Sequence, residues 1–396
     1  MGSDLNHREE CGCNAASRLI HGLAAGIFLI LSSSFASPAD PGVLQTWKLS
    51  LRDVLPTLPA SWDSYSVWGL AFSPDGSRLA IGFGDSTQES EITRRLIVVP
   101  MSNPRKVERS FELRLNLSWI AQPCCVRLSW SPDGQHLAVS NGSGRDPQAL
   151  VFDLKSNSHC EIEASKTFFL SADTLLSLRW ESDGDNLSIF TAQCAVKRDW
   201  LVQVGIRVLD VSHEPALIAG FRYQPEKLRT HESVSEGLLL RIDNLPETQI
   251  LANFGPGFIP SNFARGGNSV CAVKEGTMSC RPTSGGQLMQ IPIGSGWIMG
   301  VKGAANRLAI SEFNRRTIPQ GLASFLDVSD VWFTLKRRII WDLDKGQMIA
   351  AYTPQVASVR LKGFGKRDRS FDYALSADGQ YIAEGSPDSV TVYQIR

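Results

Sequence analysis

One short cassette recurs along the chain and restricts its fold more than any other feature. Ala71-Phe72-Ser73-Pro74-Asp75-Gly76-Ser77-Arg78-Leu79-Ala80 returns as Leu128-Ser129-Trp130-Ser131-Pro132-Asp133-Gly134-Gln135-His136-Leu137-Ala138. It returns again around Ser182-Asp183-Gly184, between Leu178 and Leu187, and around Ser376-Ala377-Asp378-Gly379, between Ala374 and Ala383. Weaker copies run from Phe263 to Val270 and from Val301 to Leu308. Proline presets φ for the first turn position, aspartate bonds its own backbone, and glycine takes the positive φ. Apolar residues alternate on either side, so each cassette reads as strand, tight turn, strand. The recurring turn residues are therefore structural.

A second half-repeat follows most copies, clearest from Arg338 to Tyr352, where Ile339-Ile340-Trp341-Asp342-Leu343 precedes the turn Asp344-Lys345-Gly346. Ala149 to Lys155, Gly205 to Asp210 and Gly237 to Asp243 match its first strand. Two hairpins make a four-stranded sheet, and a string of such sheets closes into an all-β propeller. The Ser-Pro-Asp-Gly turn followed by Leu-Ala, with Trp341-Asp342 later in the unit, resembles blades of the WD40 and TolB-like families over residues 65–396. The chain lacks the Gly-His dipeptides of the strict WD40 pattern and has Trp-Asp in a second half-repeat only at Trp341-Asp342, so the resemblance is to a divergent member. It implies architecture and leaves function open.

First-hairpin signals fall near residues 68, 126, 176, 258, 298 and 371, and second-hairpin signals near 94, 148, 205, 237, 277, 338 and 389. The expectation is seven blades, with six as the alternative, because 213–237 shows no clear inner hairpin. Ser389 to Ile395 reads as a third strand with no fourth after it. Leu44 to Leu51 reads as a strand with no partner before the first repeat. The N-terminal strand is expected to complete the last blade and remove an exposed edge. Residues 1–42 then form a leader with linker, and 43–396 a single propeller.

The leader carries the one targeting signal. Leu19 to Leu31 is an apolar run preceded by Arg18 and followed by small residues from Ser32 to Ser37. It is shorter than the roughly 20 residues of a membrane span and has the length of a signal-peptide core. Export to the periplasm or the exterior is expected, with anchoring by residues 19–35 as the alternative. Of eight cysteines, Cys11 and Cys13 precede this run. Downstream, a two-residue turn at Glu275-Gly276 sets Cys271 opposite Cys280 at a non-hydrogen-bonded position, where Cα atoms approach to about 4.5 Å. A Cys271–Cys280 disulfide is expected in an oxidising compartment, with two small buried thiols as the alternative.

No constellation carries chemistry. There is no Gly-x-Ser-x-Gly elbow, and the propeller reaches the C-terminus, which leaves no expected hydrolase domain. The histidines are scattered, Asp183-Gly184-Asp185 lacks spaced calcium ligands, and no cysteine or histidine spacing assembles zinc. No cofactor or metal is expected. Forty Lys+Arg balance forty Asp+Glu, which argues against nucleic acid as partner.

Two features suit binding instead. The stretch from Glu312 to Arg338 reads as an insertion; if 321–335 is helical, Phe325, Trp332 and Phe333 share a broad apolar face. Basic residues concentrate late in the chain, notably Arg315, Arg316, Arg337, Arg338, Lys366 and Arg367. The expected function is an exported, monomeric interaction module with an acidic protein partner of unknown identity. The alternatives are a lactonase- or esterase-like enzyme with a central-channel site and a membrane-tethered sensor, the latter touching membrane only through an uncleaved leader.

Overall fold

The computed structural model describes residues 42–54, 65–85, 94–113, 127–141, 147–180, 185–201, 206–213, 216–222, 236–242, 249–256, 260–274, 277–292, 297–317, 331–354, 372–386 and 388–396. The expected leader lies outside these residues. After β1 (Val43–Ser50), blade 1 holds β2 (Tyr65–Phe72), β3 (Arg78–Asp85), β4 (Arg94–Pro100) and β5 (Arg109–Leu113). Blade 2 holds β6 (Arg127–Trp130), β7 (His136–Ser140), β8 (Ala149–Asp153) and β9 (Ser158–Ile162). Blade 3 holds β10 (Lys166–Phe169), β11 (Thr174–Trp180), β12 (Asp185–Thr191) and β13 (Val196–Leu201). Blade 4 holds β14 (Ile206–His213), β15 (Ala216–Arg222), β16 (Glu236–Arg241) and β17 (Gln249–Pro256). Blade 5 holds β18 (Pro260–Ala264), β19 (Ser269–Lys274), β20 (Thr277–Pro282) and β21 (Met289–Pro292). Blade 6 holds β22 (Trp297–Ala304), β23 (Arg307–Thr317), β24 (Val331–Asp342) and β25 (Gln347–Tyr352). Blade 7 joins β26 (Tyr373–Leu375), β27 (Tyr381–Gly385) and β28 (Ser389–Ile395) to β1. The fold is thus a propeller of seven antiparallel four-stranded blades.

Seven apolar clusters form among the described residues, one in each seam between blades. The strand period of two sends alternate side chains into different seams. In β3, Leu79, Ile81 and Phe83 pack with β1 and blade 7, whereas Ala80 packs with blade 2. In β7, Leu137 and Val139 face blade 1 and Ala138 faces blade 3. Further clusters fill the seams between blades 3 and 4, 4 and 5, 5 and 6, and 6 and 7. Middle strands such as Leu96-Ile97-Val98-Val99 are therefore apolar on both faces.

A single hydrogen bond repeats in every blade and sets its phase. The residue at or just past the end of the third strand donates its N–H to a carbonyl in or beside the first turn: Met101 to Ser77, Leu154 to Gln135, Ala192 to Asp173, Ile242 to Ala216, Thr283 to Asn268, Leu343 to Asn306 and Ile395 to Gln380. This bond corrects two sequence assignments. In blade 3 the first turn is Ser171-Ala172-Asp173, where the Ser171 hydroxyl donates to Asp173, and the cassette at 178–187 joins the second and third strands. Residues 206–213, read as a second-hairpin strand, are the first strand of blade 4, and β14–β15 is the inner hairpin that 213–237 lacked in sequence. The disguise in blade 3 is physical: Thr174 follows Asp173 where the turns of blades 1, 2 and 7 have a positive-φ glycine, at φ 69°, 67° and 70° for Gly76, Gly134 and Gly379.

Closure is as expected from sequence. β1 pairs antiparallel with β28, from Val43 opposite Ile395 to Ser50 opposite Ser389. Leu49 and Leu51 are buried in the seam between blades 7 and 1. Gly42 enters so close to blade 6 that a Cβ there would sit 2.5 Å from the Ile349 carbonyl oxygen.

The cassette turns are self-bonded. Ser73 Oγ donates to Asp75 Oδ1 at 2.5 Å and Ser77 Oγ donates to Oδ2 at 2.7 Å. These hydroxyls, Ser73 first, hold the Asp75 carboxyl down at about 2, against an ordinary 3.8. Because the folded-state value is depressed, the stabilisation from this turn is complete above pH 3.8 and fades as pH falls through about 2. An NMR titration of the Asp75 carboxyl carbon is expected to give a midpoint near 2; a midpoint at or above 3.8 contradicts the bonding described.

Candidate functional site

Blade 6 carries a projection that the other blades lack among the described residues. β23 and β24 are the longest strands, and they outrun their neighbours in the sheet. β22 reaches Phe313, and β25 reaches Arg338. Beyond those points Asn314–Thr317 and Val331–Thr334 pair with each other, Arg315 opposite Phe333, Arg316 opposite Trp332 and Thr317 opposite Val331. Four pairs at about 3.3 Å per residue make an arm roughly 13 Å long. The helix considered for 321–335 is not formed over Val331–Leu335, where β-branched and aromatic residues lie in a ladder with β23. Phe325 lies outside the described residues, as do Lys366 and Arg367. The arm thus brings together Arg315, Arg316, Trp332 and Phe333, which sequence placed in one insertion.

The root of the arm is electrostatically committed. A bulge between Glu312 and Phe313 ends the regular blade. The Glu312 carboxylate is fully buried, receives Lys336 Nζ at 2.8 Å, and receives Arg337 Nε at 2.5 Å. Burial pushes the Glu312 carboxyl up, but the bonds from Lys336 and Arg337 outweigh it and hold the group below its ordinary value. Both cations keep partial exposure, so this root retains one net positive charge at the surface.

Arg338 is not part of that surface. Its side chain and that of Glu384 are 2% and 1% exposed, and they form a two-point pair across the seam between blades 6 and 7. Arg338 Nε donates to Glu384 Oε1 at 2.8 Å and Nη2 to Oε2 at 2.7 Å, while Nη1 donates to Ser311. The Tyr352 hydroxyl donates to Glu384 Oε1 at 2.8 Å, and the guanidinium stacks 3.6 Å over the Tyr373 ring. Burial lowers the Arg338 pKa, but the charge and hydrogen bonds of Glu384 with the neighbouring phenols together outweigh it, so it stays charged. Burial pushes Tyr352 well up and Tyr373 and Tyr393 to about 12, so these phenols stay neutral. The expectation of Arg338 as a contact residue is corrected: alternation along β24 turns it into the seam while Arg337 faces out.

Two more ion pairs join first strands around the axis, and sequence reasoning missed them. Arg127 Nη2 on β6 reaches Asp210 Oδ1 on β14 at 2.8 Å, passing 4.1 Å over the Phe168 ring of blade 3. Asp210 Oδ2 also accepts the Phe263 N–H of blade 5. Lys302 on β22 meets Asp372 at 2.9 Å, and Asp372 accepts the Leu70 N–H of blade 1. A signal was present: Gly69, Arg127, Thr167 and Asp372 all stand four residues before the serine of a first turn, so charge there faces equivalent sites around the ring. A second missed feature is a Cys160–Cys194 disulfide. Cys271 and Cys280 stand opposite each other in β19 and β20 with Cα atoms 4.1 Å apart, and the structure joins them as well.

Replacing Glu384 by Gln leaves a buried guanidinium without its counter-charge, at a cost of about 3–5 kcal/mol. The paired replacement Arg338→Met with Glu384→Leu is expected to recover most of that loss. Urea unfolding of the single and double variants checks both, and equal losses for all of them contradict a charge-paired seam.

No family model and no curated protein matches this chain. Among solved structures it is similar to the β-propeller domain of the trilobed protease from Pyrococcus furiosus, with TM-score 0.53 and 12% identity over 81% of this chain and 91% of that one. A nidogen/laminin complex chain aligns at 10% identity and TM-score 0.39, over 66% of this chain and 90% of that one, and carries no argument. The Pyrococcus domain is described as having an open velcro topology, whereas β1 closes the ring here. At this identity the likeness establishes the fold, a seven-bladed β-propeller.

Proposed function

We propose that the chain is an exported propeller that binds a protein partner through the arm of blade 6. The observation that carries this reading is the run of β23 and β24 past the rest of their own sheet. A ribbon that runs beyond the other strands of its own sheet costs backbone entropy that pairing within the blade does not repay, which fits a recognition role. Arginine and aromatic positions oppose each other along it, the residue types that anchor interfaces. The net positive root formed by Lys336, Arg337 and Glu312 favours an acidic partner surface.

Export is supported by the apolar run Leu19 to Leu31 and by two disulfide-bonded pairs. We read the blades as divergent relatives of the WD40/TolB-like repeat. Asp342 and Asp153 cap the turn after their strand by accepting the N–H groups two and three residues on, a role that needs no neighbouring histidine.

The arm can be removed while the pairing of β23 and β24 with the rest of blade 6 is kept. Asn314 and Thr334 are opposed, so a two-residue Asn-Gly turn can join them in place of residues 315–333. In crosslinking pull-downs from envelope extract, the intact chain is expected to capture a protein that the trimmed chain does not. Trp332→Ala is expected to weaken that capture at least tenfold, and raised salt to weaken it further. Equal capture by intact and trimmed chains contradicts the arm as contact face.

A further inference from the structure

The two disulfides differ in every respect that governs exchange. Cys271 and Cys280 lie on adjacent strands of one hairpin, nine residues apart, and are 0% and 4% exposed. Reduction would leave them opposed in a ladder that holds without them. Cys160 lies on β9, the outer strand of blade 2, and Cys194 lies in the turn between β12 and β13 of blade 3. Their bond spans 34 residues and joins two blades. Both are only half-buried, and Cys194 sits at φ 62°, a region that non-glycine residues seldom adopt.

The hydrogen bonds that join blades 1 and 2 are shorter than the bond from Phe169 to Ser129 that joins blades 2 and 3. Between blades 1 and 2, Trp130 Nε1 donates to Ala71 O at 3.0 Å, Arg78 to Gly134 O at 2.7 Å and Arg109 to Leu154 O at 2.7 Å. Between blades 2 and 3, Phe169 N–H donates to Ser129 Oγ at 3.4 Å. The two cysteines also pack on the apolar cluster of that seam, beside Val151, Ile162 and Ala192. Cys160 Sγ lies 3.7 Å from the Ala192 carbonyl oxygen, so a thiol there has an acceptor waiting in blade 3.

From these features we infer that Cys160–Cys194 is a reversible redox clasp on the seam between blades 2 and 3, exchanging with external thiols, while Cys271–Cys280 is a permanent bridge. A thiolate attacks one sulfur of the clasp, forms a mixed disulfide with it and releases the other cysteine as thiolate. A second external thiol attacks its own kind in the mixed disulfide and releases the remaining cysteine. Two thiols thereby pass two electrons and two protons to the pair and leave as a disulfide. The reduced seam rests on apolar packing and the Arg127–Asp210 strut, while β1 keeps the ring closed. This inference is independent of the arm.

The test equilibrates the folded full chain with graded reduced and oxidised glutathione, traps thiols by alkylation and maps them by mass spectrometry. Cys160 and Cys194 are expected to open at a tenfold or more lower ratio of thiol squared to disulfide than Cys271 and Cys280, about 30 mV for a two-electron couple. After that first step the chain should keep its strand content, and proteases should cut faster between β9 and β10. A Cys160→Ser/Cys194→Ser variant should show the same faster cutting without reductant. Opening of both pairs together, opening of Cys271–Cys280 first, or alkylation of Cys160 and Cys194 before any reductant is added overturns the clasp. Unchanged proteolysis on selective reduction overturns it too.

Discussion

Packing between neighbouring blades carries this fold, because no blade has a core of its own. Each sheet is apolar on both faces, and alternate side chains of one strand serve two different seams, as Leu79 and Ala80 do. A fully buried Leu, Ile or Val contributes about 1.5–3 kcal/mol, and here that contribution exists only when both neighbours are in place. The arrangement forces a ring. An open end would expose a whole apolar sheet face and a bare strand edge together.

The seams on either side of blade 7 are fastened in two different ways. β1 brings the N-terminal part of the propeller to the outer edge of the final blade and lays Leu49 and Leu51 into the seam with blade 1. On the other side of blade 7, the Arg338–Glu384 pair crosses to blade 6, with Tyr352 and Ser311 hydrogen-bonded to it and the Tyr373 ring stacked on the guanidinium. A buried pair of this kind adds little over apolar packing but makes a mismatched seam very costly. It therefore favours one register between blades 6 and 7. β24 runs from the arm into this pair, so the proposed binding element grows from the seam that the pair crosses.

The fold was legible in the sequence to the extent that it is local. Proline, aspartate and glycine write a tight turn within a few residues, and the unpaired strand patterns at the two ends imply closure. The Cys271–Cys280 register follows from one two-residue turn. Blade 3 was misphased because Ser171-Ala172-Asp173-Thr174 makes its turn without glycine, whereas Ser182-Asp183-Gly184 carries the familiar signal at the wrong strand junction. What was illegible is whatever crosses a seam. Arg338 and Glu384 stand 46 residues apart, and nothing local marks either as the other's partner. Cys160 and Cys194 are hidden in the same way. The arm was half legible: its residues were singled out, but an apolar run can be arranged on a helix, and only pairing with β23 decides for a strand.

The central claim is that the ring closes through β1 and is only as stable as that closure. Amide hydrogen exchange of the full chain tests it most directly. The hydrogen-bonded amides of β1 are expected to exchange with the same opening free energy as those of β28, at the level of global unfolding. Exchange of β1 amides orders of magnitude faster than those of β28, with the rest of blade 7 still protected, would show a ring that stands without its N-terminal strand and would contradict the account.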